Sequence, residues 1–199
     1  YSPEGNALKS DGVGVFAREI MAANPLLPCE ENGRLNDPLI RENFVARVYA
    51  YKHWQNLEAS GLSKHKLTTF HSQYKYTVMS HDLIAYKQLG QLLARADLPL
   101  VDMAKQYITG LMSALSIKAT RKKHANTLAH IQGYFSKHLQ PNERQELCKQ
   151  IDAYRNGLIP LIAPLTLIKH YLLQYPKAYL TKQAYLSPYP DELKLRYAY

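Results

Sequence analysis

Cysteine is scarce in this chain, and long apolar runs are absent from it. The two cysteines, Cys29 and Cys148, are far apart and have no CxxC or Cys-His spacing around them, so we expect neither a structural zinc site nor a disulfide framework. No run of about 18 uncharged apolar residues occurs, and the first residues lack a basic segment followed by an apolar one. We therefore expect no membrane span, no signal peptide and a cytoplasmic location.

The sequence motifs of common catalytic sites are also missing. We find no glycine-rich phosphate loop, no nucleophile elbow and no dinucleotide fingerprint. Residues 61–199 hold only eight acidic residues, and the eight histidines of the chain include no pair at positions i and i+4. A metal site would therefore need ligands from separate helices. The residues by themselves indicate no catalytic group and no metal ligand.

Basic charge is concentrated in the second part of the chain. Residues 1–60 hold six Lys and Arg against eight Asp and Glu, a net charge of −2. Residues 61–199 hold nineteen against eight, a net charge of +11, and they contain 13 of the 16 tyrosines. A basic, tyrosine-rich helical segment favours polyanionic partners, with nucleic acid the commonest and an anionic membrane surface the alternative.

Hydrophobic periodicity predicts an all-α fold. Apolar residues recur at helical spacing between capping residues, glycines and prolines, and alternation at period two is absent beyond the first residues. We expect a compact bundle of six to eight helices in residues 61–199. Residues 1–60 are expected to hold a short helical or irregular remnant of an upstream α/β domain and a linker helix. Because the chain starts at Tyr1 and not at methionine, we interpret it as a fragment of a longer protein.

Capping and stop signals place the individual helices. The pair Asp37-Pro38 is a strong helix start, and Gly61 is the expected stop. The predicted helices run from Pro38 to Gly61, from Ser63 to Ser80, from Leu83 to Ala96, from Val101 to Leu115, from Ala119 to His138, from Pro141 to Gly157 and from Pro164 to Tyr175.

The stretch from Ala119 to His138 has the highest density of basic charge and is predicted to form a single helix. One arc of this helix is apolar and contains Leu128, Ile131, Phe135 and Leu139. The opposite arc contains Lys122, Lys123, Asn126, His130 and Lys137. Arg121, Lys122 and Lys123 follow the predicted N-cap Thr120, where the helix dipole favours acidic residues, so we infer that they serve an anionic partner such as phosphate. A solvated basic face is the alternative.

Further binding residues are expected outside this arc. His71 and Lys75 lie one turn apart on a predicted helix and could contact a phosphate, with His81 near its end. The alternative for these histidines is a structural role at the edge of the core, with hydrogen bonds to the backbone. Tyr134 lies at the border of the basic arc, where its ring could stack on a base.

Five strings of the sequence resemble the YbgA-type domain, and the resemblance extends over essentially all of residues 61–199. They are FHSQYKYTVMSH (70–81), LGQLLA (89–94), ATRKKHANTLAHIQGYF (119–135), ERQELCKQIDAYRNGLIPLIAPLTLIKHYLLQYP (143–176) and YLSPYP (185–190). Upstream, residues 11–54 resemble the end of a thiouracil-desulfidase-like domain and its junction to a YbgA-type domain. Proteins with this arrangement are similar to the RudS-type desulfidases, which remove sulfur from 4-thiouridine in tRNA.

This resemblance implies a division of labour between two domains. The desulfidase domain is expected to hold an iron-sulfur cluster on three cysteines and to perform the chemistry, whereas the YbgA-type domain helps to hold the tRNA. The three cluster cysteines are expected upstream of Tyr1. The resemblance thus implies that this chain has no catalytic residues and no cofactor of its own.

We therefore expect residues 61–199 to form a helical tRNA-binding domain that supports a desulfidase domain of the same protein. The expected binding residues are Arg121, Lys122, Lys123, Asn126, His130, Tyr134, Lys137, His71 and Lys75. One alternative is a protein-interaction module that docks a catalytic domain or another partner through the basic face. The other is an independent enzyme that uses His71, Lys75, His81 and Arg121, which would require strongly shifted histidine pKa values in one closed pocket.

Overall fold

The computed structural model describes residues 14–197, which form nine α-helices, four short 3-10 helices and no strand. The α-helices are α1 (Val15–Ala23), α2 (Pro38–Ala59), α3 (Lys64–His81), α4 (Leu83–Ala94), α5 (Leu100–Ser116), α6 (Arg121–Gln132), α7 (Pro141–Arg155), α8 (Ile162–Gln174) and α9 (Ala178–Thr181). The 3-10 helices are Arg34–Asn36, Gly133–Phe135, Asp191–Leu193 and Leu195–Tyr197. This confirms the predicted all-α bundle. The start of the expected α/β remnant, residues 1–13, lies outside the described residues.

Local capping explains where most helices begin and end. The Asp37 carboxylate accepts hydrogen bonds from the backbone N–H groups of Leu39 and Ile40 at the start of α2. Asp82 caps α4 in the same way. Gly61 and Gly157 follow the ends of α2 and α7 with φ angles of +83° and +80°, a left-handed conformation that glycine adopts without strain.

The predicted single helix from Ala119 to His138 is too long. Helix α6 ends at Gln132, and the chain tightens into the 3-10 helix Gly133–Phe135 and a turn. In this arrangement Phe135 and Leu139 both reach the core. The Arg144 guanidinium donates to the backbone carbonyl of Ser136 at 2.7 Å, so a side chain from α7 satisfies a carbonyl just beyond the shortened helix.

Helix α3 lies at the centre of the bundle and packs against α4, α5 and α6. It contributes to two hydrophobic clusters. Leu67, Phe70, Tyr74 and Val78 pack with residues of α2, α4 and α5, whereas Tyr76 and Met79 pack with residues of α6, α7, α8 and the C-terminal segment. Every residue from Tyr76 to His81 is buried, so the last turns of α3 have no solvent-facing side.

Helix α2 is part of this core although it belongs to the acidic first part of the sequence. Its Trp54 stacks on Tyr107 of α5, with ring centres 5.8 Å apart, and meets Phe70 edge-on at 5.5 Å. The boundary between residues 60 and 61 stays a prediction, but the linker helix does pack against the bundle.

Helix α1 differs from the other long helices because none of its residues is buried. Val15 and Phe16 are 71% and 76% exposed. Within residues 14–197, no helix combines the length and the apolar character that a bilayer crossing requires.

An ion pair between Arg196 and Glu42, largely buried, joins the C-terminal segment to α2. Arg196 Nε donates to Glu42 Oε1 at 3.1 Å, and the Tyr189 hydroxyl donates to the same oxygen at 2.9 Å. The guanidinium also donates to the Tyr185 carbonyl at 2.6 Å and lies over the rings of Tyr185 and Tyr189. The side chains of Arg196 and Glu42 are only 9% and 16% exposed.

Replacing Glu42 should therefore destabilise the protein strongly. In Glu42→Gln the buried guanidinium loses its counter-charge, and we expect the free energy of unfolding to fall by about 3 kcal/mol, measured by urea denaturation. Lys169→Gln is the matched control, because it breaks the exposed Lys169–Asp191 pair and should cost about 1 kcal/mol or less. Equal losses in the two variants would contradict a dominant role for the buried pair.

Candidate nucleic-acid interface

Helix α6 separates buried and exposed residues along its length. Its exposed stripe contains Lys122, Asn126 and His130, and it continues beyond the helix through Gly133 and Lys137. The predicted apolar arc is confirmed, because Leu128, Ile131, Phe135 and Leu139 are all buried. The 12 residues of α6 span about 18 Å. The stripe thus forms a basic and polar track between the two ends of the helix.

Lys123 is the member of the predicted arc that the structure places elsewhere. Its side chain is half-buried, and its Nζ donates to the backbone carbonyl oxygen of His81 at the end of α3. A cation is favourable at a helix C-terminus because it interacts with the negative end of the helix dipole. Lys123 is therefore not an exposed cation of the stripe. The His81 carbonyl at the enclosed end of α3 needs a donor, and the Lys123 ammonium provides it and so joins α6 to α3.

Arg121 begins α6 and lies against the C-terminal end of α7. A Cβ added to Gly157 would lie 3.5 Å from the Arg121 guanidinium carbon, so the glycine leaves room for this side chain. No carboxylate of residues 14–197 lies within ion-pair distance of Arg121. Its positive charge is therefore not neutralised by a described carboxylate, and its role in anion binding stays a prediction.

Tyr134 lies in a cluster of aromatic and basic side chains near the C-terminal end of α6. Its ring stacks on Tyr179 with centres 5.7 Å apart, and its hydroxyl accepts a hydrogen bond of 3.1 Å from the Tyr76 hydroxyl. The Lys75 ammonium lies 5.1 Å from the ring centre of Tyr76 and 5.0 Å from that of Tyr179. We call Lys75, Tyr76, Tyr134 and Tyr179 the tyrosine cluster. The structure thus brings together Lys75 and Tyr134, which lie far apart in the sequence.

Lys75 keeps its positive charge within the tyrosine cluster. Burial by itself would lower the pKa of Lys75, but the hydrogen bond with Tyr179 and the electrostatic effect of the nearby tyrosines raise it above its ordinary value. Tyr134 is 38% exposed, so part of its ring remains open to solvent. The cluster therefore presents an aromatic surface beside a cation.

The structure shows a second aromatic pair that the sequence pattern does not indicate. His138 stacks on Tyr175 with ring centres 5.5 Å apart, and Lys177 contacts His138 Nε2 at 2.7 Å. The excess of tyrosine in the C-terminal segment was the available signal for this pair and for Tyr179. It could not show which of these rings are exposed.

His71 faces the core and not the tyrosine cluster. Its ring is half-buried and its Nδ1 lies 3.3 Å from the Tyr107 hydroxyl, on the side of α3 that faces α5. Burial, together with the nearby Lys75 charge, lowers the pKa of His71 to about 4. His71 is thus neutral at pH 7 and lies at the edge of the core, where its partner is a tyrosine hydroxyl and not the backbone.

His81 is buried, and its Nδ1 lies 2.6 Å from the Ile117 carbonyl oxygen. It lines a small cavity with Arg121 and His124, whereas His71 and Lys75 do not. The four residues of the enzyme alternative are therefore split between two places. Among the described residues, no three His, Cys, Asp or Glu side chains are grouped so that they could hold a metal ion.

The low pKa of His71 predicts a pH-dependent stability. The unfolded chain, in which the histidine pKa is near 6.5, takes up a proton before the folded chain does as the pH falls. The free energy of unfolding should therefore decrease between about pH 6.5 and pH 4. In His71→Gln the decrease in the free energy of unfolding between pH 7 and pH 5 should be smaller by about 2 kcal/mol, measured by urea denaturation at each pH. His65→Gln, at an exposed histidine of the same helix, is the control and should change the loss little.

Comparison with known proteins identifies the family of this fold. A family model described as "Protein of unknown function (DUF1722)" matches residues 75–190. The chain is also similar to the "Uncharacterized protein YbgA" of Escherichia coli (strain K12), with 36% identity over 159 residues that cover 79% of this chain and 94% of that protein. No solved structure matches the chain. The YbgA-type resemblance is thereby confirmed, while the upstream desulfidase-like resemblance stays a prediction. The chain therefore belongs to the DUF1722 family, and its similarity to YbgA extends over most of both proteins.

Proposed function

We propose that this chain is a helical tRNA-binding domain that supports a 4-thiouridine desulfidase domain of the same cytoplasmic protein. The observation that carries the proposal is the exposed stripe of α6, which runs from the free guanidinium of Arg121 toward the tyrosine cluster. This surface combines the two chemistries that single-stranded or looped RNA requires, cations for phosphates and aromatic rings for unpaired bases.

Phosphate binding is assigned to the cations along α6. Arg121 and Lys122 lie at the start of the helix, and Lys137 lies beyond its end. Asn126 and His130 lie between them on the exposed stripe and offer hydrogen bonds. Contacts of this kind give affinity that falls steeply with salt, and they carry little sequence information.

Base recognition is assigned to Tyr134 in the tyrosine cluster. Its ring is already stacked on Tyr179, so stacking of an RNA base would order few additional side-chain torsions. Lys75 lies over the rings of the same cluster and can attract a phosphate or add a cation-π interaction. An unpaired base could therefore add to the stack beside a phosphate that the cations hold.

The chemistry is assigned to the upstream domain and not to this chain. An iron-sulfur cluster on three cysteines cannot be built from the two cysteines present, of which Cys29 is half-buried and Cys148 exposed. In the proposal the cluster belongs to the desulfidase-like domain that residues 11–54 resemble. In this proposal the DUF1722 domain binds the tRNA and orients it for the desulfidase domain.

Loss of two stripe cations should weaken RNA binding in a salt-dependent way. The double variant Lys122→Ala/Lys137→Ala removes two exposed charges. Lys123 is left unchanged, because its side chain donates to the His81 carbonyl and its loss would disturb the fold. We expect the slope of log affinity against log salt concentration to become shallower by about 1.5 to 2, with similar losses for different RNAs, measured by fluorescence anisotropy. Lys105→Ala/Lys149→Ala is matched in charge and lies on the exposed surfaces of α5 and α7. Equal effects of the two double variants would reject the α6 stripe as the binding surface.

Replacing the exposed aromatic ring should affect unpaired bases selectively. Tyr134→Leu should cost about 1 to 3 kcal/mol of binding free energy for tRNA or single-stranded RNA, because the stacking surface is lost. It should leave binding to a blunt RNA duplex unchanged. Tyr134→Phe keeps the ring and removes the hydroxyl that Tyr76 contacts, so it should bind nearly as well as the original chain. Identical losses for duplex and single strand would show that Tyr134 stacks on no base.

A protein-interaction module is the second candidate function, and the exposure of α1 favours it. Val15 and Phe16 offer an apolar surface that no described residue of this chain covers. Complexes that survive nuclease treatment, together with weak and equal binding to tRNA and duplex DNA, would favour this candidate over RNA binding.

A further inference from the structure

A cavity of about 70 Å³ lies where α2, the end of α3, the start of α6 and the last 3-10 helix meet. The residues that matter for its chemistry are Glu42, His81, Arg121, His124, Tyr154 and Arg196, and leucine side chains form other parts of its wall. The space accommodates several water-sized groups, which is sufficient for a small tetrahedral ion. This cavity lies apart from the tyrosine cluster and shares only Arg121 with the proposed RNA surface.

The hydrogen bonds of His81 fix the character of its second ring nitrogen. Two groups lie near His81 Nδ1: the Ile117 carbonyl oxygen at 2.6 Å and the Asn43 amide nitrogen at 3.4 Å, which already donates to the Leu115 carbonyl at 3.1 Å. The much shorter contact to the carbonyl oxygen assigns the proton to Nδ1, and burial lowers the pKa of His81, so the ring is neutral at pH 7. Nε2 therefore carries a lone pair and accepts hydrogen bonds. No described residue forms a hydrogen bond with Nε2. Nε2 is also absent from the described side-chain atoms that are both fully enclosed and without a partner, so some of its surface is accessible. Because His81 lines the cavity, we place this accessible surface there.

The opposing groups of the cavity are hydrogen-bond donors. Arg121 lies against Gly157 with no carboxylate of residues 14–197 in ion-pair distance. The Tyr154 hydroxyl has no hydrogen-bond partner among these residues either, and burial raises the pKa of Tyr154 to about 12, so it remains a donor. The first backbone N–H groups of α6 lack partners within the helix and begin at Arg121.

The charge of the cavity favours an anion. Glu42 is the carboxylate in the wall, and Arg196 and Tyr189 already bind it. His124 adds no charge, because burial lowers its pKa well below the ordinary value. Lys118, also in the wall, is paired with Asp37 at 3.4 Å. Arg121 is therefore the cation of this wall that the described carboxylates leave unneutralised.

We propose that this cavity binds a phosphate group that retains an O–H, either inorganic phosphate or a singly protonated phosphomonoester. Arg121 and Tyr154 donate to the oxygens of the anion, and Nε2 of His81 accepts the hydrogen bond from its O–H. This inference goes beyond the proposed function, because the internal phosphodiesters of RNA carry no such O–H. Sulfate also lacks it, so the proposal includes a selectivity that a general basic surface does not have.

Isothermal titration calorimetry at pH 6.0 and constant ionic strength tests this selectivity without any RNA. At this pH about half of a phosphomonoester is singly protonated. Inorganic phosphate should bind the chain about tenfold more tightly than sulfate or dimethyl phosphate, since neither of these can donate to His81. Methyl phosphate, a phosphomonoester, distinguishes the two ligands of the proposal, inorganic phosphate and a terminal phosphate. Comparable binding of methyl phosphate assigns the cavity to terminal phosphates, and much weaker binding assigns it to free phosphate.

Two variants connect the selectivity to individual groups. Arg121→Gln, at an exposed position, should weaken phosphate binding about tenfold or more. His81→Asn retains a donor toward the Ile117 carbonyl but lacks the Nε2 acceptor, so phosphate should bind no better than sulfate. Lys149→Gln is the charge-matched control on α7 and should bind phosphate as the original chain does.

Three results would overturn the proposal: no detectable phosphate binding, equal affinity for phosphate and sulfate, or unchanged phosphate affinity in Arg121→Gln. If His81→Asn does not fold, the phosphate-to-sulfate ratio of the original chain and the Arg121→Gln variant still decide the question. Because none of these measurements uses RNA, the proposal can fail while tRNA binding is confirmed, and the reverse also holds.

Discussion

The end of α3 is buried, so the backbone carbonyl and the Nδ1 N–H of its last residue, His81, need partners inside the protein. The His81 ring bonds to the Ile117 carbonyl just after α5, and the His81 carbonyl receives the Lys123 ammonium from α6. These two hydrogen bonds fix the start of α6 relative to α3 and α5. The position of Arg121, the direction of the exposed stripe and the shape of the cavity all follow from this anchor.

The two ends of α6 therefore differ in chemistry. At its start, Arg121, Tyr154 and His81 line a small cavity, and in our proposal they hold one compact anion. Near its other end, stacked tyrosines and Lys75 form an open surface, which suits a flat ring beside a charge. The two ends of one short helix thus lie beside surfaces of different shape, because the neighbouring helices change along its length.

Features of the sequence that act locally predicted most of the fold. Asp37-Pro38 and Gly61 delimit α2 as expected, since capping and left-handed φ values depend on neighbouring residues alone. The role of Lys123 and the contact between Tyr76 and Tyr134 were not predictable, because each depends on a partner more than 40 positions away. The charge pattern correctly separated the buried and exposed sides of α6, but it could not distinguish a cation that binds the protein itself from one that faces solvent.

The Glu42–Arg196 pair joins positions 154 apart, and so it closes nearly the whole described chain into a loop. Closing so long a loop costs more chain entropy than a local contact does, so we expect this pair to form after the local helix contacts. Helix α2 and the last 3-10 helix consequently depend on each other for a counter-charge. If the last 3-10 helix detaches, Glu42 on α2 loses its counter-charge, and if α2 detaches, Arg196 loses its own.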